Sequence, residues 1–182
     1  MNQESNAMNL PVFKYHPDPV STGSVNVSNV KCRCCGESRG YIYASSVYCT
    51  EELNGEICPW CIADGSAAKK FNATFVDDYP LHQAGMDEQV ILEVTTRTPG
   101  YETWQQEVWL THCNDACAFL GDASKEDAFS IANEGLLVVG GEWLDEKTMK
   151  TVAQNYRPKG SPAFYKFRCL HCNQILYAMD YD

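Results

Sequence analysis

The residues of this 182-residue chain best suited to chemistry are its ten cysteines. Cys32 and Cys35 form a C-x2-C pair, as do Cys58 and Cys61 and again Cys169 and Cys172, while Cys113 and Cys117 are spaced C-x3-C. Each such pair can offer two thiolates from one turn, and two pairs from distant segments complete a tetrahedral all-sulfur zinc site. The spacing predicts two structural Zn2+ sites per chain. The first joins Cys32, Cys35, Cys58 and Cys61; the second joins Cys113, Cys117, Cys169 and Cys172. A four-cysteine site is closed, with no coordination position left for water or substrate, so this chemistry is structural and not hydrolytic.

Two rival chemistries are weighed against metal. A disulfide framework needs an oxidising compartment and typically serves small domains that lack a core. The first residues, Met1 to Ala7, show neither the basic nor the apolar region of a signal peptide, and no run of apolar residues is long enough to span a bilayer. A cytoplasmic location and no membrane insertion are therefore expected, and reduced, metal-binding thiols with them. Ser5-Asn6-Ala7 before Met8 resembles an expression-tag scar, which would make Met8 the natural start. The second rival is a thiol redox motif, because Cys58-Pro59-Trp60-Cys61 precedes a helical pattern that would lower a thiol pKa. No βαβ unit surrounds it, and the second C-x2-C upstream is the company of a metal site.

The elements that must position these residues follow from local pattern. Leu10 to Pro19 holds three prolines and reads as an ordered extended arm, with His16 a loop residue and not a ligand. In Lys31-Cys32-Arg33-Cys34-Cys35-Gly36, the glycine permits the left-handed turn of a zinc knuckle. Cys34 is an alternative ligand to Cys35. Twenty-two residues separate Cys35 from Cys58, a zinc-ribbon-like interval that a strand pair can fill, with Gly40 to Cys49 as a strand turning near Ser45. Ile62 to Phe71 reads as a helix. Phe75-Val76 and Val90 to Thr95 read as strands, and Arg97-Thr98-Pro99-Gly100 as a turn. Trp104 to Leu110 fits either strand or helix.

On a helix, Cys113 and Cys117 would share one face. His112 and His171 adjoin proposed ligands and are alternative donors, although neighbouring side chains normally diverge. Ala163 to Arg168 and Gln174 to Tyr181 read as a hairpin tipped by the Cys169–Cys172 knuckle. Before it lie two helices, one capped by Ser124 and ending by Gly135, the other from Trp143 to Tyr156. Cys49 reads as a small buried residue, and His82 carries no signal.

The fold class is thus α+β, with short antiparallel strands, zinc-ribbon-like knuckles and about three helices. Three regions are expected: a disordered or tag-like segment 1–9, an N-terminal zinc-knuckle region 10–75, and a C-terminal α+β region 76–182 with the second site, packed as one unit. With 45% apolar residues, including seven Phe, ten Tyr and four Trp, the chain can bury a core, so metal is a staple and not a substitute for one.

The formal charge of −10 disfavours nucleic acid as a partner, since binding there depends on cations displacing counterions from phosphate. Each closed four-thiolate zinc site would add about two further negative charges. Between Val76 and Glu107 seven acidic residues (Asp77, Asp78, Asp87, Glu88, Glu93, Glu102 and Glu107) face Arg97 alone. That segment suits a basic protein partner, or simply keeps the chain soluble. No phosphate-binding loop, dinucleotide fingerprint or nucleophile elbow is present. The leading reading is a zinc-binding protein that acts by macromolecular binding and is not an enzyme. The alternatives are a thiol- or zinc-dependent enzyme using Cys58 or the Cys113/His112 region, and a zinc-ribbon nucleic-acid binder using Lys147, Lys150, Arg157 and Lys159.

Taken together, LPVFKYHPDP, the C-x2-C-G followed by RGYIY, ICPWCIADGSAAKKF, RTPGY with WQQEVWL and HC, CAFLG, and the terminal F-R-C-x2-C with D-x-D resemble the CbrC family of small bacterial proteins, from about Leu10 to Asp182. That family takes its name from a colicin-tolerance protein. The resemblance implies a role in toxin tolerance or an immunity-like role and supplies no catalytic residues.

Overall fold

The computed structural model describes residues 9–141 and 144–182; the tag-like segment at residues 1–7 and the helix start expected at Trp143 lie outside them. The α+β class holds, with three small sheets and six helices among the described residues.

Tyr41–Tyr43 (β2) pairs antiparallel with Val25–Val27 (β1), so the strand pair straddles the first knuckle: β1 precedes Cys32, and only β2 lies between the first two cysteine pairs. The strand expected from Gly40 to Cys49 stops at Tyr43, and Tyr48 makes only an isolated bridge to Thr74. The helix expected over Ile62 to Phe71 is two helices, Pro59–Ala63 (α1) and Ser66–Phe71 (α2). Gly65, at φ +75°, divides them, a conformation that costs glycine no Cβ clash.

The strand expected at Val90 is a helix. After the short helix Tyr79–Gln83 (α3), Glu88–Arg97 (α4) starts at Asp87, whose side chain accepts from the Gln89 N–H. Ile91, Val94 and Thr95 are buried at three- and four-residue spacing, so one helical face outweighs the β-branched composition. Residues 104–110 form neither strand nor helix.

Thr111–His112 (β3) and Asp115–Ala116 (β4) form a two-residue hairpin. The chain then enters a four-stranded sheet of order β5-β7-β8-β6, built from Ala118–Asp122 (β5), Val138–Val139 (β6), Ala163–Arg168 (β7) and Ile175–Asp180 (β8). β6 runs parallel to β8 and the other pairs are antiparallel. Lys125–Glu134 (α5) has a capping box, in which Ser124 and Asp127 satisfy each other's backbone N–H, and it ends on left-handed Gly135. Glu146–Asn155 (α6) packs beside it.

Three apolar clusters hold these parts. One surrounds the first knuckle with Tyr43, Ile57, Ile62 and Phe75. The central one joins Tyr15 of the arm, α4 and the sheet, where Tyr101 stacks on Phe119 at 4.1 Å and Trp109 meets Phe167 edge-on at 5.8 Å. The third lies under α5 and α6 with Phe164, Tyr177 and Met179. No helix among the described residues is long and apolar enough to cross a membrane.

Candidate metal centres

At the first cysteine set, one tight turn supplies two sulfurs. The Gly36 N–H donates to the Cys32 carbonyl at 2.7 Å, the Cys32 N–H donates to the Glu37 carbonyl at 2.9 Å, and Gly36 sits at φ +77°. This folds Cys32 and Cys35 toward one point. Cys58 and Cys61 approach from the start of α1, where Pro59 begins the helix. Lys70 of α2 donates from Nζ to the carbonyls of Arg33 and Cys34, both at 2.9 Å, tying the turn to the helical side.

The four sulfurs lie within 4.8 Å of one another, with Cys32–Cys61 and Cys35–Cys58 each at 3.9 Å. A zinc–sulfur bond of about 2.3 Å gives a tetrahedral edge of about 3.8 Å, so this donor set fits a tetrahedral thiolate-binding cation. Cys32, Cys58 and Cys61 are buried and Cys35 reaches the surface. Cys34 points elsewhere, 3.5 Å from the Ser66 hydroxyl, and Cys49 donates to the Glu51 carbonyl at 3.0 Å, half-buried and outside the tetrad.

The second set differs from the four cysteines expected. It consists of His112, Cys113, Cys169 and Cys172, whose donor atoms again lie within 4.8 Å of one another. Cys117 does not join it. Because Asp115–Ala116 is a strand and not a helical turn, Cys117 faces the central core, fully buried, with its carbonyl accepting from the Trp109 indole N–H at 2.9 Å. Burial pushes its thiol up to about 12. The reason His112 takes its place is the hairpin. Cys113 and Asn114 occupy the two turn positions at φ +53° and +56°, and this left-handed pair turns Cys113 back over its neighbour. His112 Nδ1 then lies 3.2 Å from Cys113 Sγ and 3.4 Å from Cys172 Sγ, with the two sulfurs 3.8 Å apart. The divergence of adjacent side chains assumes extended or helical backbone, and it fails in this turn.

Cys169 and Cys172 sit in a second copy of the first knuckle. The Asn173 N–H donates to the Cys169 carbonyl at 3.1 Å, the Cys169 N–H donates to the Gln174 carbonyl at 2.8 Å, and Asn173 adopts φ +62° where Gly36 stood in the first. His171 is turned away from the tetrad, its Nε2–H donating to Asp115 Oδ2 at 2.9 Å. Asp115 also accepts from the Tyr15 hydroxyl at 2.6 Å and from Lys14 Nζ at 3.0 Å. The N-terminal arm thus braces the hairpin that carries His112 and Cys113, and His171 braces it through the same carboxylate. Cys113 and Cys172 are exposed, and Cys169 is buried.

Each tetrad favours one thiolate. The Cys58 side chain, donating to Cys32, holds the Cys32 thiol down at about 4, aided by backbone N–H groups including that of Cys58 at 3.2 Å. The same contact drives Cys58 upward, and burial lifts Cys61 to about 12. In the second tetrad the backbone N–H of Cys172 lowers Cys169 to about 6, while the hydrogen bond with Cys172 raises Cys113 to about 11. Crowded sulfurs cannot all ionise beside one another unless a cation is added, so each donor set could hold a metal ion that neutralises it. In both knuckles the first cysteine is the one whose anion the backbone stabilises.

No solved structure gives a significant match to the chain. It is 48% identical over 174 residues to a UPF0167 protein of Pseudomonas aeruginosa, covering 94% of this chain and 97% of that protein. UPF0167 proteins of Mycobacterium bovis and Mycobacterium tuberculosis are each 43% identical over 188 residues, covering 100% of this chain and 98% of theirs. The family model that matches, over residues 10–181, is described as "Uncharacterised protein family (UPF0167)". These matches replace the CbrC assignment, and with it falls the toxin-tolerance role that the resemblance implied. By a family match that spans nearly all of its length, the chain belongs to UPF0167.

Proposed function

We propose that this protein binds two zinc ions as structural staples, one in each tetrad, and acts in the cytoplasm by presenting its folded surface to a macromolecular partner. The observation that carries this reading is the duplicated knuckle, two turns with matching hydrogen bonds that each deliver a C-x2-C pair to a four-donor cluster. Thiolate and imidazole donors suit zinc above hard cations such as Mg2+ or Ca2+. When bound, zinc neutralises the crowded thiolates and cross-links distant segments. Four protein donors fill each tetrahedron, which supports a structural role over a hydrolytic one. Exposed Asp78, Asp87 and Glu88 around α3 and α4 support a basic protein as the partner. Glu107 contributes nothing to that surface, because it is buried.

Elemental analysis with native mass, before and after thiol alkylation, tests the metal reading. Two zinc per chain, with labelling confined to the half-buried Cys34 and Cys49, is the expected result. Fewer than two zinc, or ready labelling of Cys58, would overturn it. For the partner, binding that weakens with salt and with neutralisation of Asp78, Asp87 and Glu88 is expected; salt-independent binding would refute a basic partner.

A further inference from the structure

Away from both tetrads, the segment around β1, the Ser45 turn and the C-terminal sheet line a cavity of about 380 Å³ that opens to solvent. Ser45 lines it and is 2% exposed. Its hydroxyl is the one buried side-chain nitrogen or oxygen among the described residues that makes no well-formed hydrogen bond, although it lies beside the Tyr43 hydroxyl. The neighbouring Tyr43 hydroxyl is engaged with the carbonyls of Ser46 and Phe75. A buried hydroxyl left unpaired costs about 1–3 kcal/mol, and a protein keeps such a group where something else completes it.

Trp104 also lines the cavity, 49% exposed yet fixed in place. Its indole N–H donates to the Gly160 carbonyl at 3.1 Å, and its backbone N–H donates to Asp180 Oδ2 at 2.6 Å. An aromatic face held rigid in solvent is a platform awaiting an apolar surface. Thr22 is similarly prearranged on the cavity wall. Buried His16 contacts the Pro99 carbonyl through Nδ1 at 2.8 Å, which places its proton there, so Nε2 accepts from the Thr22 hydroxyl at 2.7 Å. The same hydroxyl lies 3.4 Å from the Ser24 hydroxyl, which also lines the cavity, and the two together can accept from a ligand.

Charge narrows the ligand. Glu102 and Asp122 lie on the wall with a single cation, Lys159, in a chain of net charge −10, which opposes an anion. Lys159 offsets one of the two carboxylates, leaving the wall little net charge with which to hold a cation. The use of the tyrosine rings within the core also opposes a cation, since Tyr101 stacks on Phe119 and Tyr165 meets Tyr101 edge-on at 4.9 Å. What remains is a neutral molecule that donates to carboxylates, exchanges hydrogen bonds with hydroxyls and lays a C–H face on an indole. We propose that this cavity binds a neutral, polyhydroxylated small molecule of monosaccharide size. Its volume lies near the lower end of the range for small-molecule sites.

The test uses the full zinc-loaded chain and follows the Trp104 indole N–H by NMR, assigned with Trp104→Phe, during titration with glucose, galactose, mannose and N-acetylglucosamine. Tetramethylammonium and inorganic phosphate serve as the charged probes. The expected result is saturable displacement of that signal by at least one sugar at millimolar concentration and by neither ion. Ser45→Ala should then weaken the sugar about tenfold, while leaving the Tm of the free protein unchanged or higher, since it removes an unpaired group. Glu102→Gln, at an exposed position, should weaken the same sugar and gives an independent reading should Ser45→Ala fold poorly. Absence of saturable binding by every sugar, capture of either ion in their place, or full sugar affinity in these variants would overturn the proposal.

Discussion

Glu107 is expected to make the protein less stable as pH rises, and Glu107→Gln should abolish that dependence. The side chain is 2% exposed, and among the described residues its carboxylate accepts only the backbone N–H groups of Tyr101 at 3.1 Å and Asp77 at 3.2 Å. Burial pushes the carboxyl from its ordinary 4.5 up to about 8, against the pull of those two donors. A folded-state value above the unfolded one means that the native protein holds the proton more tightly between these pH values. Stability is therefore full below about 4.5 and falls as pH rises through about 8. Integrated from pH 5 to pH 9, the loss is about 4 kcal/mol. The assay is urea unfolding of zinc-loaded wild type and Glu107→Gln at both pH values, with the difference between the proteins isolating this group from the tetrads. The wild type should lose its advantage, or deepen its deficit, by about that amount at the higher pH. Parallel profiles differing by less than about 1 kcal/mol would refute the burial argument.

His16 should act in the opposite direction. Burial lowers it to about 4, so its contribution is present above about 6.5 and is lost as pH falls through about 4, costing about 3 kcal/mol. Acid unfolding of His16→Gln, compared with wild type at matched pH, should lack that term, and an unchanged acid limb would exclude it. His112→Ala should leave one zinc tightly held and weaken the other by about a hundredfold or more, as one of four donors is lost, whereas Cys117→Ala should retain both metals and lower stability by about 1 kcal/mol. Competition with a chromogenic chelator separates these outcomes; zinc loss in Cys117→Ala with retention in His112→Ala would reverse the ligand assignment. Gly100→Ala should be severely destabilising, by about 3 kcal/mol or more, because its Cβ would fall 2.1 Å from the Phe75 carbonyl oxygen and 2.9 Å from Glu107 Oε1. A Tm near that of wild type would show that the backbone there yields.

The first tetrad was legible because its information is local. Two C-x2-C pairs and Gly36 specify the turn, and the interval between them needs only a strand to lead away and return. The α5 cap and the β7–β8 hairpin were legible for the same reason, through Ser124 with the acidic residues after it and through two strand-like runs flanking the Cys169–Cys172 knuckle. His112 ranked only as an alternative donor behind Cys117, because spacing alone cannot distinguish a helical C-x3-C from a hairpin that puts Cys113 at a left-handed position. The available signal was Asn114 followed by Asp115, residues that favour tight turns. At Val90 to Thr95 the β-branched residues concealed a helix that Asp87 and Glu88 announce. The Ser45 cavity had no sequence signal, since residues 22, 45, 104 and 165 meet only through tertiary packing.

The two metal centres also differ in when they can be completed. The last donor of the first, Cys61, precedes the last donor of the second, Cys172, by more than a hundred residues. At translation rates of about 5–20 residues per second, the nascent chain spends roughly 5–20 s with the first cluster fully synthesised and the second still missing donors. During that interval the N-terminal knuckle can already be fastened, whereas the His112–Cys113 hairpin waits on the ribosome with its thiol unpartnered. The order of synthesis thus sets the order in which the two donor sets are completed.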